Sequence, residues 1–239
     1  MHHHWSTLKK IRDNCRSFLN QLYTCELCLG ECETGSFLCQ RCRDDLPYPS
    51  LTCPQCSEPV RTEGRCGRCQ RHPPDFDYSH CSLTYHHPVT HWMHKCKEGR
   101  DIRMAARFCD LMLTSPPLWT IRPDFLVAIP TSRRRLLSRG FNLSEVICHQ
   151  LSRELNIPVM KHGLRKLRHS EQRLFSGAER RRRSAGIGPG GLDLSGLHLM
   201  IIDDVMTTGS TLNEAAQQLK AQGANIVGAW CLARTIKDR

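Results

Sequence analysis

The sequence predicts an α/β fold on a parallel sheet, preceded by a small module held together by metal ions. Two observations predict it. Apolar runs of strand length at Phe125 to Ile129 and Leu199 to Ile202 are each followed by a polar loop and then by apolar residues at helical spacing. Strand-loop-helix units that alternate in this way pack as parallel strands, with ligands bound beyond their carboxyl ends. The N-terminal third holds four C-x-x-C pairs but few apolar residues, so it cannot bury much of a core.

In chain order, residues 1–24 place Leu8, Ile11, Cys15, Phe18, Leu19 and Leu22 on one face and read as a short leading helix. Met1-His2-His3-His4 fits a tag, a metal-affine start or a solvated terminus equally. Residues 25–72 carry Cys25 and Cys28, Cys39 and Cys42, Cys53 and Cys56, Cys66 and Cys69. Two such pairs on either side of a short loop make the four-thiolate tetrahedral shell of structural zinc. Two zinc ions in tandem ribbons are expected, with metal binding supplying most of the folding free energy. Spacing also permits the first pair to share a metal with the third, and the second with the fourth. A disulfide scaffold is disfavoured by the odd total of 15 cysteines and the lack of a secretory leader. Cys15, Cys32, Cys81, Cys96, Cys109, Cys148 and Cys231 read mostly as small buried apolar residues, with Cys32 a bystander in the first ribbon.

Residues 73–239 form the second domain, opened by P-P-D-F-D, where consecutive prolines disfavour helix. A strand at Ser82 to Tyr85, a helix from Trp92 to Leu113 and a break at S-P-P-L lead to the strand at Phe125. After it come T-S-R-R-R, R-G-F-N and a helix from Leu143 to Leu155. Arg133, Arg134, Arg135 and Arg139 offer planar donors suited to a doubly charged phosphate group. The stretch Leu164 to Gly191 is arginine-rich and ends in G-I-G-P-G-G, which reads as a mobile basic loop over the crevice.

The densest chemistry is L-M-I-I-D-D-V-M-T-T-G-S-T, Leu199 to Thr211, followed by a helix to Gln222 and a last strand from Asn225. A strand-to-helix junction presents unpaired N–H groups and the positive end of the helix dipole, so phosphate is its natural guest. Gly209 lets the backbone bend around the anion, and Thr207, Thr208, Ser210 and Thr211 add hydroxyl donors. Asp203 and Asp204 repel a phosphate; vicinal sugar hydroxyls or hydrated magnesium suit them.

Charge supplies a further clue. The chain carries 34 Lys and Arg against 23 Asp and Glu, a formal net charge of +11. Arg165, Lys166, Arg168 and the run Arg180, Arg181, Arg182 and Arg183 suit the phosphates of nucleic acid without sequence preference. No apolar run approaches the length that spans a bilayer, so no membrane insertion and a cytoplasmic location are expected.

The run D-D-V-M-T-T-G-S-T resembles the 5-phosphoribosyl 1-pyrophosphate (PRPP) loop of type I phosphoribosyltransferases. The resemblance implies PRPP bound with magnesium. Asp203 and Asp204 would hold the ribose, the loop through Val205 and Met206 to Thr207, Thr208, Gly209, Ser210 and Thr211 the 5′-phosphate, and Thr131, Ser132 and Arg133 to Arg135 the pyrophosphate. I-P-T-S-R-R-R-L-L-S-R-G-F-N, then R-H-S-E-Q-R-L, with the cysteine-rich start, is similar to the ComF/GntX family, whose members are linked to natural DNA uptake in bacteria. In that family Gln172 and Arg173 belong to the flexible loop and Lys97 matches a lysine near the ligand. A family-typical R-x-x-N departs here to R-R-R-R, with Arg183 at the asparagine position.

The resemblance implies a PRPP-binding protein that acts with single-stranded DNA, and with competence or recombination proteins, in natural transformation. Alternatives are a catalytically silent PRPP sensor and a zinc-ribbon docking or adaptor protein. No catalytic residue is assigned. Purine-salvage enzymes of this fold carry a carboxylate directly before the T-G step; Thr207 stands there, which disfavours a purine acceptor.

Overall fold

The structure, a computed structural model, describes residues 24–33, 35–167, 171 and 185–236. The leading-helix segment before Thr24 lies outside the described residues. The chain divides into two compact units, Met1–Leu46 and Pro47–Arg239. Cys53 to Cys69 share a unit with the sheet.

The first unit contains helix α1 (Gln40–Asp44), and the second opens with α2 (Gly67–Arg71). Then follow β1 (Tyr78–Thr84), α3 (Val89–Lys97), α4 (Arg103–Thr114), β2 (Phe125–Ala128), α5 (Arg133–Arg139) and α6 (Leu143–Leu155). A two-stranded antiparallel ladder of β3 (Leu164–Lys166) and β4 (Ile187–Pro189) precedes β5 (His198–Met206), α7 (Ser210–Ala221) and β6 (Ile226–Arg234).

The main sheet runs β1-β6-β5-β2 with every pairing parallel, and an isolated parallel bridge from Leu126 to Val159 extends it. β5 and β6 are central and buried on both faces, as their near-continuous apolar sequences require. On one face Leu199, Ile201, Val227 and Ala229 pack with Leu212, Ala215, Ala216 and Leu219 of α7 and with Phe76. On the other, α4 and α6 lie against each other and cover the sheet, burying Phe108, Leu111, Ile147 and Leu151. Trp230 Nε1 donates to Ser82 Oγ at 3.0 Å, which satisfies the indole in the core.

Three elements differ from expectation. The helix expected over Trp92 to Leu113 is two helices. Arg100 takes φ 56°, and a Cβ at Gly99 would meet the Lys95 carbonyl oxygen at 2.5 Å, so the chain turns there although apolar spacing continues. β5 extends past Ile202 through both aspartates, because Asp203, Val205 and Met206 stay in register with Cys231, Ala233 and Arg234. The glycine-rich end of the basic stretch is ordered: Ile187 is buried, and the Glu214 carboxylate accepts from the N–H groups of Ala185 (2.8 Å) and Ile187 (2.7 Å). Among the described residues no helix is long and apolar enough to cross a membrane.

Candidate functional site

From β2 the chain proceeds outward to Val159; from β5 it proceeds through α7 to β6 on the opposite side. This reversal between adjacent strands opens a crevice at their carboxyl ends, where open α/β sheets bind ligands.

β5 delivers the two acids to that crevice. Asp203 Oδ1 accepts from Ser144 Oγ at 2.8 Å and from the Asp204 N–H at 2.9 Å. Asp204 Oδ2 lies 2.9 Å from Lys97 Nζ at the end of α3. Burial, and after it the charge of Asp204, raises the Asp203 pKa to about 7, although the Ser144 hydroxyl, the Asp204 amide and Lys97 act in the opposite direction. A carboxylate in that condition favours a guest that brings hydroxyl donors or a cation.

Beyond Met206 the turn rises to α7. Thr207 and Thr208 are exposed, and Gly209, with φ 79°, caps the helix without a side-chain bond. Gly209 is required for that backbone angle rather than for space, since an added Cβ would meet Phe76 Cζ at an ordinary 3.9 Å. Thr208 Oγ1 donates to Ser210 Oγ at 3.0 Å and accepts from the Ser210 N–H at 3.3 Å. The result is a tight hydroxyl-lined turn at the positive end of a 12-residue helix. A cleft of about 350 Å³ adjoins it, lined by Thr208, Gly209, Ser210, Asn213, Arg68 and His72 among others.

Across the crevice, β2 leads through Pro130 and Thr131 to Ser132, whose Oγ accepts from the Arg135 N–H at 3.3 Å and starts α5. Gly140 ends that helix at φ 85°. Asn142 Nδ2 donates to the Ile129 carbonyl at 3.0 Å, folding the R-G-F-N segment back on the strand end. Arg133, Arg134 and Arg135 are exposed, and Arg139 stands 4.0 Å from the Glu98 carboxylate. Arg165 pairs with Glu171 at 2.8 Å, and Lys166 Nζ donates to the Ala185 carbonyl. Of the side chains proposed for nucleic acid, Arg165 and Lys166 therefore have partners inside the fold. Arg168, Gln172, Arg173 and Arg180 to Arg183 lie outside the described residues.

Sequence reasoning missed Ser144 and Arg234. Arg234 ends the apolar strand G-A-W-C-L-A-R and is only 2% exposed. A single cation closing an apolar run was the available signal.

The cysteine pairs assemble as neighbours: Cys25, Cys28, Cys39 and Cys42 form one cluster, and Cys53, Cys56, Cys66 and Cys69 the other, with all four sulfurs of each within 4.8 Å of one another. Sγ–Sγ separations of 3.7 Å (Cys28 to Cys39) and 3.6 Å (Cys56 to Cys66) agree with the edge of about 3.8 Å that a tetrahedral zinc–thiolate shell implies. Burial opposes the Cys25 thiolate, but N–H groups of Cys28, Cys39 and Leu27 outweigh it and bring its pKa to about 6. Cys53 is held at about 7 against burial in the same way, by Cys66, Cys56 and Gln55. Cys42, chiefly through its bond to Cys28, and Cys69, chiefly through burial, are pushed far up. Four crowded thiols ionise together only around a cation, so both clusters fit zinc, which would cross-link each module.

Residues 142–239 match the family described as phosphoribosyl transferase domain. The chain is 33% identical over 221 residues to the DNA utilization protein YhgH of Escherichia coli K12, covering 89% of this chain and 97% of that one. It is 26% identical over 226 residues to competence protein F of Haemophilus influenzae, with coverage of 89% and 97%. A purine phosphoribosyltransferase from Pyrococcus horikoshii superposes with a TM-score of 0.31 at 20% identity, over 58% of this chain and 74% of that one.

The parallel sheet with paired acids and a glycine turn at its switch point defines a phosphoribosyltransferase-type domain, here preceded by zinc-ribbon clusters. The chain belongs to the ComF/GntX family.

Proposed function

We propose that the crevice binds PRPP with magnesium and that the protein acts with single-stranded DNA in DNA uptake or recombination. The observation that carries the reading is the placement of Asp203 and Asp204 at the end of β5, one turn before the amino end of α7. The two carboxylates accept from the vicinal ribose hydroxyls, and the turn Thr207 to Thr211 surrounds the 5′-phosphate. Thr131, Ser132 and the exposed Arg133 to Arg135 face the pyrophosphate, with Arg139 beside them. Lys97 holds Asp204 in place and stands ready to exchange that carboxylate for a phosphate oxygen. Magnesium, when bound with the ligand, neutralises pyrophosphate charge.

The names of the relatives, a DNA utilization protein and a competence protein, support the DNA role, and the net charge of +11 agrees with it. A catalytically silent, sensing role draws on Thr207, which stands where purine-salvage enzymes have a carboxylate. Release of pyrophosphate in the presence of single-stranded DNA separates turnover from sensing.

Calorimetry with PRPP and magnesium tests the pocket. The native chain is expected to bind saturably, and an Asp203→Asn, Asp204→Asn double variant with unchanged zinc content to bind at least about 100-fold more weakly. Equal binding by both would remove the acids from the site and the reading with them.

A further inference from the structure

A guanidinium withdrawn from water must have its donors occupied by the protein. Arg234, 2% exposed, directs them to two places. Nε donates to the Cys56 carbonyl at 3.1 Å, and Nη2 meets Glu58 Oε2 at 2.5 Å. Nη1 donates to the carbonyls of Met206 at 3.0 Å and Thr235 at 2.9 Å, and also to that of Thr207. One cation thus ties the backbone of a metal-ligand residue in the second cluster to two consecutive carbonyls at the base of the phosphate-type turn.

The consequence follows from peptide geometry. In a trans peptide the carbonyl and the next N–H lie in one plane and point in opposite directions. Holding the Met206 and Thr207 carbonyls toward Arg234 therefore aims the N–H groups of Thr207 and Thr208 away from it, toward the open side of the turn. The other end of the bridge is a metal knuckle: Ser57 takes φ 52°, its N–H donates to the Cys53 carbonyl, and the Cys53 N–H donates to the Glu58 carbonyl, both at 2.8 Å. Around these cysteines the buried apolar cluster consists of Cys53, Cys56 and Cys69, with Val60 and Cys66 packed on it, too little apolar burial by itself to fix the knuckle, which Ser57 Oγ also ties to Ser79 Oγ at 2.8 Å.

We propose that Arg234 is a positioning residue through which the metal of the second cluster sets the conformation of the anion turn, so that metal loss there lowers affinity for a phosphorylated ligand. The affinity part rests on the PRPP reading; the conformational part does not.

Hydrogen exchange of amides 205–211, without ligand, reads the coupling directly. Arg234→Gln and the ligand variant Cys69→Ser are each expected to speed exchange there by about tenfold or more, and the double variant no further than either single one. Cys42→Ser in the first cluster should stay within about twofold of native. Amides of α6 report global unfolding. If Cys69→Ser loses protection there too, the comparison passes to Glu58→Gln, which removes no metal ligand, leaves the Glu58 backbone bonds in place and should speed the turn by about threefold with zinc content unchanged. Native exchange in Glu58→Gln and Arg234→Gln, or equal effects of Cys42→Ser and Cys69→Ser, would overturn the coupling.

PRPP affinity, measured alongside, separates the two readings. The expected exchange pattern with no PRPP bound by the native chain overturns the ligand and leaves the coupling standing. Native PRPP affinity in Arg234→Gln and Cys69→Ser overturns the effect on affinity and leaves the ligand.

Discussion

The two cysteine clusters are one local plan used twice. In each, the residue after the second cysteine turns left-handed, Leu29 at φ 60° and Ser57 at φ 52°. In each, an antiparallel bridge closes the knuckle, Thr24 to Glu31 and Thr52 to Pro59, and the third cysteine stands at the N-cap of a five-residue helix. Their surroundings differ. Cys28 of the first cluster is exposed, and Cys32 lies beside it as a thiol whose pKa burial and the Cys25 charge raise. Cys56, at the corresponding place, is buried, and its carbonyl is held by Arg234. Identical ligand sets therefore do not imply identical surroundings: the first cluster lies in the first unit, and the second is bonded through the Cys56 carbonyl to Arg234 at the end of β6.

The comparison breaks most visibly on heating. Cys69→Ser should lower the main calorimetric transition by about 10 °C, because a lost structural metal site costs several kcal/mol and each kcal/mol shifts a chain of this size by about 2–4 °C. Cys42→Ser should move that transition by less than about 2 °C. Equal shifts would mean that both clusters stabilise the sheet.

Acidity sharpens the distinction between metal site and crevice. The Asp203 pKa of about 7 lies above its unfolded value of about 3.9, so the native state binds more protons between the two. Stability from this group is present at low pH and is lost as pH rises through 7, and Asp203→Asn should raise the melting temperature at pH 8 by about 2–5 °C. PRPP affinity should run the other way, falling several-fold from pH 8 to pH 6 while zinc content stays constant. Parallel loss of zinc and PRPP over that range would place the titration in the clusters instead.

The smallest effect belongs to Ser144→Ala. It removes one donor to Asp203, at 2.8 Å, and should weaken PRPP by about three- to tenfold, in line with the 0.5–1.5 kcal/mol typical of such a bond. Melting and metal content should barely change.

What the sequence made legible was local. The C-x-x-C spacings, the acid pair and the T-T-G-S-T turn each lie within a few residues, so each is visible in the sequence by itself. The pairing of the cysteine pairs emerged only in three dimensions. Ser144 reaches Asp203 across 59 residues, and Glu58 reaches Arg234 across 176, so neither contact leaves a local pattern. The end of β5 was read too early because its last residues are held by registration with β6 rather than by their own apolar character. The helix over Trp92 to Leu113 was read as unbroken because periodicity survives the turn at Arg100, where a non-glycine residue takes a positive φ.

The most direct test of the central claim is a crystal structure of the zinc-loaded protein soaked with PRPP and magnesium. The 5′-phosphate is expected within hydrogen-bond reach of the Thr208 and Gly209 amides, and the ribose hydroxyls on Asp203 and Asp204. An ordered crevice that remains empty at saturating PRPP, or a ligand seated away from the acid pair, would contradict it.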